Sequence, residues 1–405
     1  MNVLVINSGS SSVKYELFAA GAGGERSVLA GEVERIGSPE ASAWQEVRAE
    51  DGSTYRDCRD VRASDHDEAL VRVLDALEDA ADATGTGPLD AVGHRVVHGG
   101  EHFADPVVLD DGVVAAIEQL ALLAPLHTGA NLAGIAAARA HLPDIPHVAV
   151  FDTAFHRTMP AHACTYALPR ELCREHGIRR YGFHGTSHAY VARRAAALLG
   201  RPLRELSLIT LHLGAGASAT AIRGGESIDT SMGMTPLEGL MMGTRCGDVD
   251  PAVPMLLARL TERTREEVHR LLNNESGLLG VCGVSDMREV HRLAEEGDPD
   301  AALALEMFCY RAKKYVGAYV AALGGADAIV FTAGIGENDA EVRSRACAGL
   351  GVLGIEIDEA RNRAAATGER LISSDVSRVA VLVIPTDEEL EIARRTVECV
   401  EFSGA

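Results

Sequence analysis

Lysine is nearly missing from this chain. Of its 38 basic residues 35 are arginine, and lysine stands only at positions 14, 313 and 314. Aromatic residues are scarce at 4%, with a single tryptophan. None of the eight cysteines form a CxxC pair, and they are scattered from position 58 to 399. That suits free thiols in a reducing compartment better than a disulfide framework or a zinc site. The longest stretch without a charged residue, Gln119 to Ala138, carries Pro125, His127, Thr128 and Asn131, a poor membrane span. The chain opens on Met-Asn and a short apolar run without a basic segment, so no secretory leader is expected and the expected location is cytoplasmic. Positive charge is also short overall: the net charge is −21 over 405 residues. So acidic a surface repels nucleic acid and anionic lipid, and neither nucleic acid nor membrane is an expected partner. An anionic ligand then has to be met by a local cluster of cations.

What is present is a globular composition, 47% hydrophobic and 24% charged, long enough for two or three domains. Apolar runs followed by small-residue turns recur. Val3 to Ile6 leads into Asn7-Ser8-Gly9-Ser10-Ser11-Ser12 and the alternating Val13 to Phe18, which predicts a hairpin. Leu206 to Leu213 leads into Gly214-Ala215-Gly216-Ala217-Ser218 and Ala219 to Ile222, an echo that points to two related halves. Ala328 to Thr332 enters Ala333-Gly334-Ile335-Gly336-Glu337-Asn338. Further strands are expected within 26–62 and at Ala91–Val97, Val148–Phe151 and Arg378–Ile384. Helical spacing predicts helices over 65–83, 112–124, 130–141, 251–272, 300–323 and 388–400. Alternation of strands and helices argues an α/β fold.

Three of the turns, at 7–12, 214–218 and 334–338, expose backbone N–H groups and let a ligand approach closely, as phosphate sites do. None matches G-x-x-x-x-G-K-[ST] or a helix-opening G-x-G-x-x-G. Any one of them is more often an ordinary hairpin; three, with Lys14 beside the first, point to phosphate. Arg95 precedes Gly99-Gly100, and Arg245 stands between Gly243-Thr244 and Cys246-Gly247. Both are candidate bidentate anion clamps, with a salt-bridged surface arginine as the competing explanation. Asp152 ends an apolar strand, where α/β sheets place ligands and where an aspartate equally caps a helix. His184 and His188 stand four apart. Without the glutamate of H-E-x-x-H and without a nearby cysteine, zinc is disfavoured, and His184 suits a donor to an anion better. Ser187 beside His188 lacks the G-x-S-x-G context of a nucleophile. Thr386-Asp387-Glu388-Glu389 is either a helix start or a hard-cation ligand set.

Read in order, the segments VLVINSGSSSVKYELF, GHRVVHGGE, LAPLH, VFDTAFH, RRYGFHGTSH, DTSMGMTPLEGLMMGTRCGDVDP, TAGIGEN and IPTDEELEIA closely resemble the acetate kinase (acetokinase) family from residue 3 to about 393. The resemblance implies two duplicated actin-like ATPase (ribonuclease H-like) α/β domains with a nucleotide cleft between them. The first would comprise 1–152 with 387–405 returning to it, and the second, 153–386, would bind nucleotide and dimerise. It further implies reversible, direct in-line phosphoryl transfer from ATP to acetate, giving acetyl phosphate and ADP. Mg²⁺ (or Mn²⁺) would serve as cofactor, and the protein would be a homodimer. By the same resemblance Asn7 and Glu388 match metal ligands, Arg95 the acetate-binding arginine, and Asp152, His184 and Arg245 the catalytic set. Lys14, His212, Leu213, Gly214, Ala215, Gly216, Asp286, Met287, Arg288, Gly334, Ile335, Gly336, Glu337 and Asn338 match nucleotide positions. Val97, Leu126, Phe183 and Pro236 match the acetate methyl pocket. A propionate or short-chain acyl kinase, and a non-catalytic actin-like nucleotide-binding module, stay open as alternatives. Four positions depart from the family pattern: Ala215 replaces an asparagine, Thr128-Gly129 replaces Asn-Pro, and Met234 replaces a phenylalanine.

Overall fold

The computed structural model describes residues 1–21, 24–49, 51–122 and 128–403. The chain divides into two compact units, Met1–Ala154 with Asp387–Ala405, and Phe155–Thr386.

In the first unit the apolar runs become β1 (Asn2–Ser8), β2 (Ser12–Gly21), β3 (Gly24–Glu34), β4 (Ser42–Arg48), β5 (Thr54–Asp60), β6 (Ala91–Val96), β7 (Val107–Val108) and β8 (His147–Phe151). Among the described residues they form one sheet in the order β5-β4-β3-β2-β1-β6-β8-β7. β1 to β5 are an antiparallel meander, whereas β1, β6 and β8 run parallel. β1 is covered on both faces, which is why its sequence is an unbroken apolar run. Leu4 and Ile6 pack into a core with Leu70 and Val73 of helix His66–Thr84. Val3 and Val5 pack with Ile392, Ala393 and Val400 of helix Glu388–Ser403. Gly93 in β6 lets that last helix lie directly on the sheet, because a Cβ there would run into the Thr396 hydroxyl.

In the second unit the strands are β9 (Ser207–Leu213), β10 (Ala217–Arg223), β11 (Glu226–Thr230), β12 (Ala328–Thr332), β13 (Arg370–Leu371) and β14 (Ala380–Val383), in the order β11-β10-β9-β12-β14-β13. β9 to β11 are antiparallel, and β9, β12 and β14 are parallel. The order β3-β2-β1-β6-β8 and the order β11-β10-β9-β12-β14 are therefore one topology used twice. The echo between Val3–Phe18 and Leu206–Ile222 marks the same hairpin in the two sheets. Helix Gly185–Leu199 buries Val191, Ala192 and Ala195 against Leu208, Val330 and Leu382, and helix Pro299–Leu323 packs on β9 and β10.

Some elements differ from the periodicity. The stretch 251–272 is two helices, Ala252–Thr261 and Arg265–Asn274. Glu262 turns left-handed at φ 55°, and Thr264 opens the second helix with a capping box whose other member is Glu267. Residues Ala333–Asn338 form a single helical turn rather than a loop. The helix expected over 112–124 ends at Gln119 and passes into a 3₁₀ turn, Leu120–Leu122. All eight cysteines are free. Among the described residues no helix is long and apolar enough to cross a membrane.

Candidate active site

In the first unit the parallel strands β1, β6 and β8 end side by side, and Asn7, Arg95 and Asp152 stand at those ends, where open α/β sheets hold ligands. The guanidinium of Arg95 forks onto Asp152. Nη2 donates to Oδ2 at 2.7 Å, and Nε lies 3.1 Å from each carboxylate oxygen. Nη1 donates to Asn7 Oδ1 at 3.3 Å, and Nε stands 3.8 Å from Glu388 Oε2. Asp152 is therefore the buried partner of a half-buried arginine. Burial opposes the charge of Arg95, but Asp152 and Glu388 outweigh it and hold the guanidinium above its ordinary pKa.

Glu388 occupies the first turn of helix Glu388–Ser403. Burial pushes its carboxyl up to about 7 against the pull of Arg95, and its Oε2 is buried with no hydrogen-bond donor among the described residues. Asp387 starts the helix, accepting the Leu390 N–H at 2.9 Å. Successive helical side chains point about 100° apart, so Glu389 faces elsewhere. Its carboxylate, with those of Asp387 and Glu16, lies in a cluster whose oxygens are within 4.8 Å of one another. Burial, reinforced by Asp387 and Glu389, raises Glu16 to about 7. Glu16 has no motif to announce it; only the fold brings it beside residues 387 and 389. Lys14 is exposed on β2 directly opposite Asn7. Val97 follows Arg95 by two residues and donates its N–H to Asn131 Oδ1 at 3.1 Å. Leu126 lies outside the described residues. A hard divalent cation takes carboxylate and amide oxygens. The orphaned Glu388 Oε2 and the Asn7 amide oxygen, both against Arg95, are donors of that kind, so these residues fit such an ion.

In the second unit His184 holds a left-handed φ of 57° at the N-terminus of helix Gly185–Leu199, a conformation that a non-glycine residue keeps only when its surroundings impose it. Its Nδ1 bonds Ser218 Oγ at 2.8 Å, and its ring stacks on His212 at 4.2 Å between centroids. His188 is fully buried between the hydroxyls of Ser218 and Thr210, and burial holds its pKa well below the ordinary value. The two histidines thus meet on one serine. Ser187 is buried too, and bonds His212 Nδ1 and Thr386 Oγ1 rather than His188.

Arg245 is held differently from Arg95. Its Nη1 donates to the Pro236 carbonyl at 2.8 Å, and among the described residues it has no carboxylate partner. Burial alone pushes its pKa down. Its Nη2 lies only 2.6 Å from where a Cβ on Gly216 would stand, and His184 Cε1 3.5 Å from the same point. Only glycine at 216 lets the guanidinium reach the turn after β9. The turn is tied back to the arginine loop, since Gly243 N donates to the Ala215 carbonyl at 3.1 Å. Phe183 is buried and its carbonyl accepts from His156 Nε2 at 2.9 Å.

The three remaining segments meet in one cavity of about 1050 Å³, lined by Gly214 and Ala215, by Asp286, Met287 and Arg288, and by Gly334, Ile335 and Asn338. His212 and Leu213 are buried beneath the turn. Asp286 caps helix Met287–Glu295 and pairs with Arg288, whose hydrogen bond pulls the carboxyl down to about 2. Gly336 is buried, and Glu337 Oε1 accepts the Thr386 N–H at 3.2 Å.

Comparison with known proteins places these features in company. The model of the acetokinase family matches residues 2–394. An acetate kinase of Syntrophobacter fumaroxidans is 54% identical, with 100% of this chain and 98% of that protein covered. One of Clavibacter sepedonicus is 53% identical, with 98% of each covered. Among solved structures, the acetate kinase of Porphyromonas gingivalis is 44% identical with a TM-score of 0.88, covering 98% of this chain and 99% of that one. A propionate kinase from Francisella tularensis is 39% identical with a TM-score of 0.90, again covering 98% and 99%.

Proposed function

The chain belongs to the acetokinase family, and from that premise we propose that it transfers the terminal phosphoryl group of ATP reversibly to acetate, giving acetyl phosphate and ADP. The observation that carries this reading is Arg245: a half-buried cation without a counter-ion among the described residues, beside a glycine turn, is a place kept for a phosphate.

Acetate is ionised at neutral pH, because carboxylic acids titrate near about 4. The nucleophile therefore has no proton to surrender. Asp152 is not needed as a base; locked onto Arg95, it orients that fork for the acetate carboxylate. The remaining difficulty is that an anion attacks an anion. Arg245 and His184 spread charge from the equatorial oxygens of the transferred group, and an in-line geometry avoids a phosphoenzyme. Lys14 adds a cation, and the cavity at Gly214, Asp286 and Gly334 receives the nucleotide. Asn7 and Glu388 are the residues to hold Mg²⁺, which when bound neutralises phosphate charge. Val97, Leu126, Phe183 and Pro236 would wall the acetate methyl.

A second reading, a short-chain acyl kinase, is favoured by Met234, which is more adaptable than the phenylalanine it replaces. Trapping the product as a hydroxamate with acetate, propionate and butyrate tests both. We expect Mg²⁺-dependent acyl hydroxamate, with propionate within about two orders of magnitude of acetate in kcat/KM. A wider gap removes the second reading, and no hydroxamate from any acid overturns the first. The same premise implies a cytoplasmic homodimer formed through the second unit. Helix Ala252–Thr261 buries none of its residues and leaves Met255 and Leu260 each 69% exposed, as an association face does. Leu260→Glu should shift the mass by light scattering from dimer to monomer.

A further inference from the structure

A second cavity in the Phe155–Thr386 unit, of about 540 Å³, adjoins the nucleotide cavity, with which it shares only Asn338, Ala340 and Arg363. Its charged lining is Arg343, Arg363 and Arg370 against one acid, Glu337. In a chain of net charge −21 that is a local inversion of sign. The arginines are not closed off by carboxylates from this wall. Arg343, 1% exposed, donates to the carbonyls of Gly336, Glu337 and Asn362 at 2.9 Å each and to Asn362 Oδ1 at 2.7 Å, all uncharged acceptors. Arg370 donates to the carbonyls of Gly368 at 3.1 Å and Glu337 at 3.0 Å, and its Nε is buried with no acceptor among the described residues. Arg363 is exposed, with Nε 3.3 Å from Glu359. Burial first, and then the neighbouring Arg370, push Arg343 down to about 10 against the opposing pull of Asp339 and Glu359. A buried donor left without an acceptor is costly, and a ligand oxygen would restore the missing bond.

We propose that this cavity is a second anion site that takes a small multivalent oxyanion, a phosphate or a dicarboxylate, on the Nε–H of Arg370 and the charge of Arg363. The planar guanidinium fork suits carboxylate and phosphate oxygens, so the chemistry of the ligand follows from the wall. The inference stands on this cavity alone and uses the proposed nucleotide site only to tell the two apart.

The test is isothermal titration of orthophosphate into the full chain saturated with Mg²⁺ and a non-hydrolysable ATP analogue, so that the transferred-phosphate position is already filled. We expect one saturable site per chain. Arg370→Met should weaken it by about tenfold or more, the loss of one charge-assisted hydrogen bond. Thr367→Glu, an acid added to the exposed rim, should do the same without touching the buried arginines. Succinate in place of phosphate distinguishes the sources, and saturable, variant-sensitive binding of either anion supports the site. Failure of both anions to bind the parent, or an affinity unchanged in the variants that fold, overturns it. If the ATP analogue does not bind, the nucleotide reading fails, while the same titration of free enzyme and variants still decides this cavity.

Discussion

Arg95 and Arg245 are both half-buried cations, yet removing them should have different consequences. Arg95 compensates Asp152 and Glu388, so Arg95→Ala leaves a buried and a partly buried acid without their cation. We expect loss of activity together with about 3 kcal/mol of stability, read by steady-state kinetics and thermal melts. Arg245 compensates nothing, so Arg245→Ala should lower kcat by about two to three orders of magnitude with the melting temperature unchanged or raised. Arg245→Lys should recover little, because the fork is gone. Near-parental kcat in Arg245→Ala would remove the clamp. Ala215 faces the nucleotide cavity, so Ala215→Asn adds an amide within reach of phosphate, a bond worth roughly 1.5–3 kcal/mol to a charged group. The KM for ATP should fall or stay level; a marked rise would mean the turn has been rebuilt around alanine. The arginines were legible in sequence because a cation in a small-residue loop stands out in so acidic a chain. Glu16 was not, since it sits in a regular strand and its neighbours come from more than 370 residues away.

At the scale of elements, the hairpin turns and the capping box at Thr264 and Glu267 are short-range chemistry, and they can be read directly. Helix lengths are less so: periodicity runs straight through 251–272, while the left-handed Glu262 divides it. The turn Ala333–Asn338 depends on a residue outside itself. Arg343 gathers the carbonyls of Gly336 and Glu337 and ties them to Asn362, whose amide bonds Ala340 and Ser344 in turn. Arg343→Met strands those carbonyls in the interior. We expect a loss of about 3 kcal/mol in denaturant unfolding and a rise in the KM for ATP larger than that for acetate. Equal rises would mean that Arg343 supports the unit in general rather than the nucleotide segment.

For the molecule as a whole, stability should follow proton uptake at groups the fold buries. His94, His147, His156 and His188 are held below their ordinary pKa, first by burial. Their stabilisation is complete above the unfolded value near 6.5 and is lost as pH falls toward the folded values, because only the unfolded chain takes up the proton. For His156, lowered to about 4, the loss between pH 7.5 and 5 is about 2 kcal/mol. Glu16 works the other way. Raised to about 7, it stabilises fully below its unfolded value of about 4.5, and that contribution is lost as pH rises through 7. Glu16→Gln should therefore melt higher than the parent at pH 8, by up to about 3 kcal/mol, and the gain should vanish below about pH 4.5. A gain independent of pH would show that packing, not charge, is responsible.

Sequence by itself determined the α/β class, the repeated strand–turn–strand, the arginines and small-residue turns suited to phosphate, and through its motifs the family. All of these rest on neighbours a few residues apart, where periodicity and turn chemistry act. Tertiary structure decided which of Glu388 and Glu389 turns toward Arg95, that Arg245 has no counter-ion among the described residues, and that three arginines share a wall with one acid. Those are matters of burial and distance between remote segments. The strength of a charge interaction is set by the medium around it, and no local pattern in the chain records that medium.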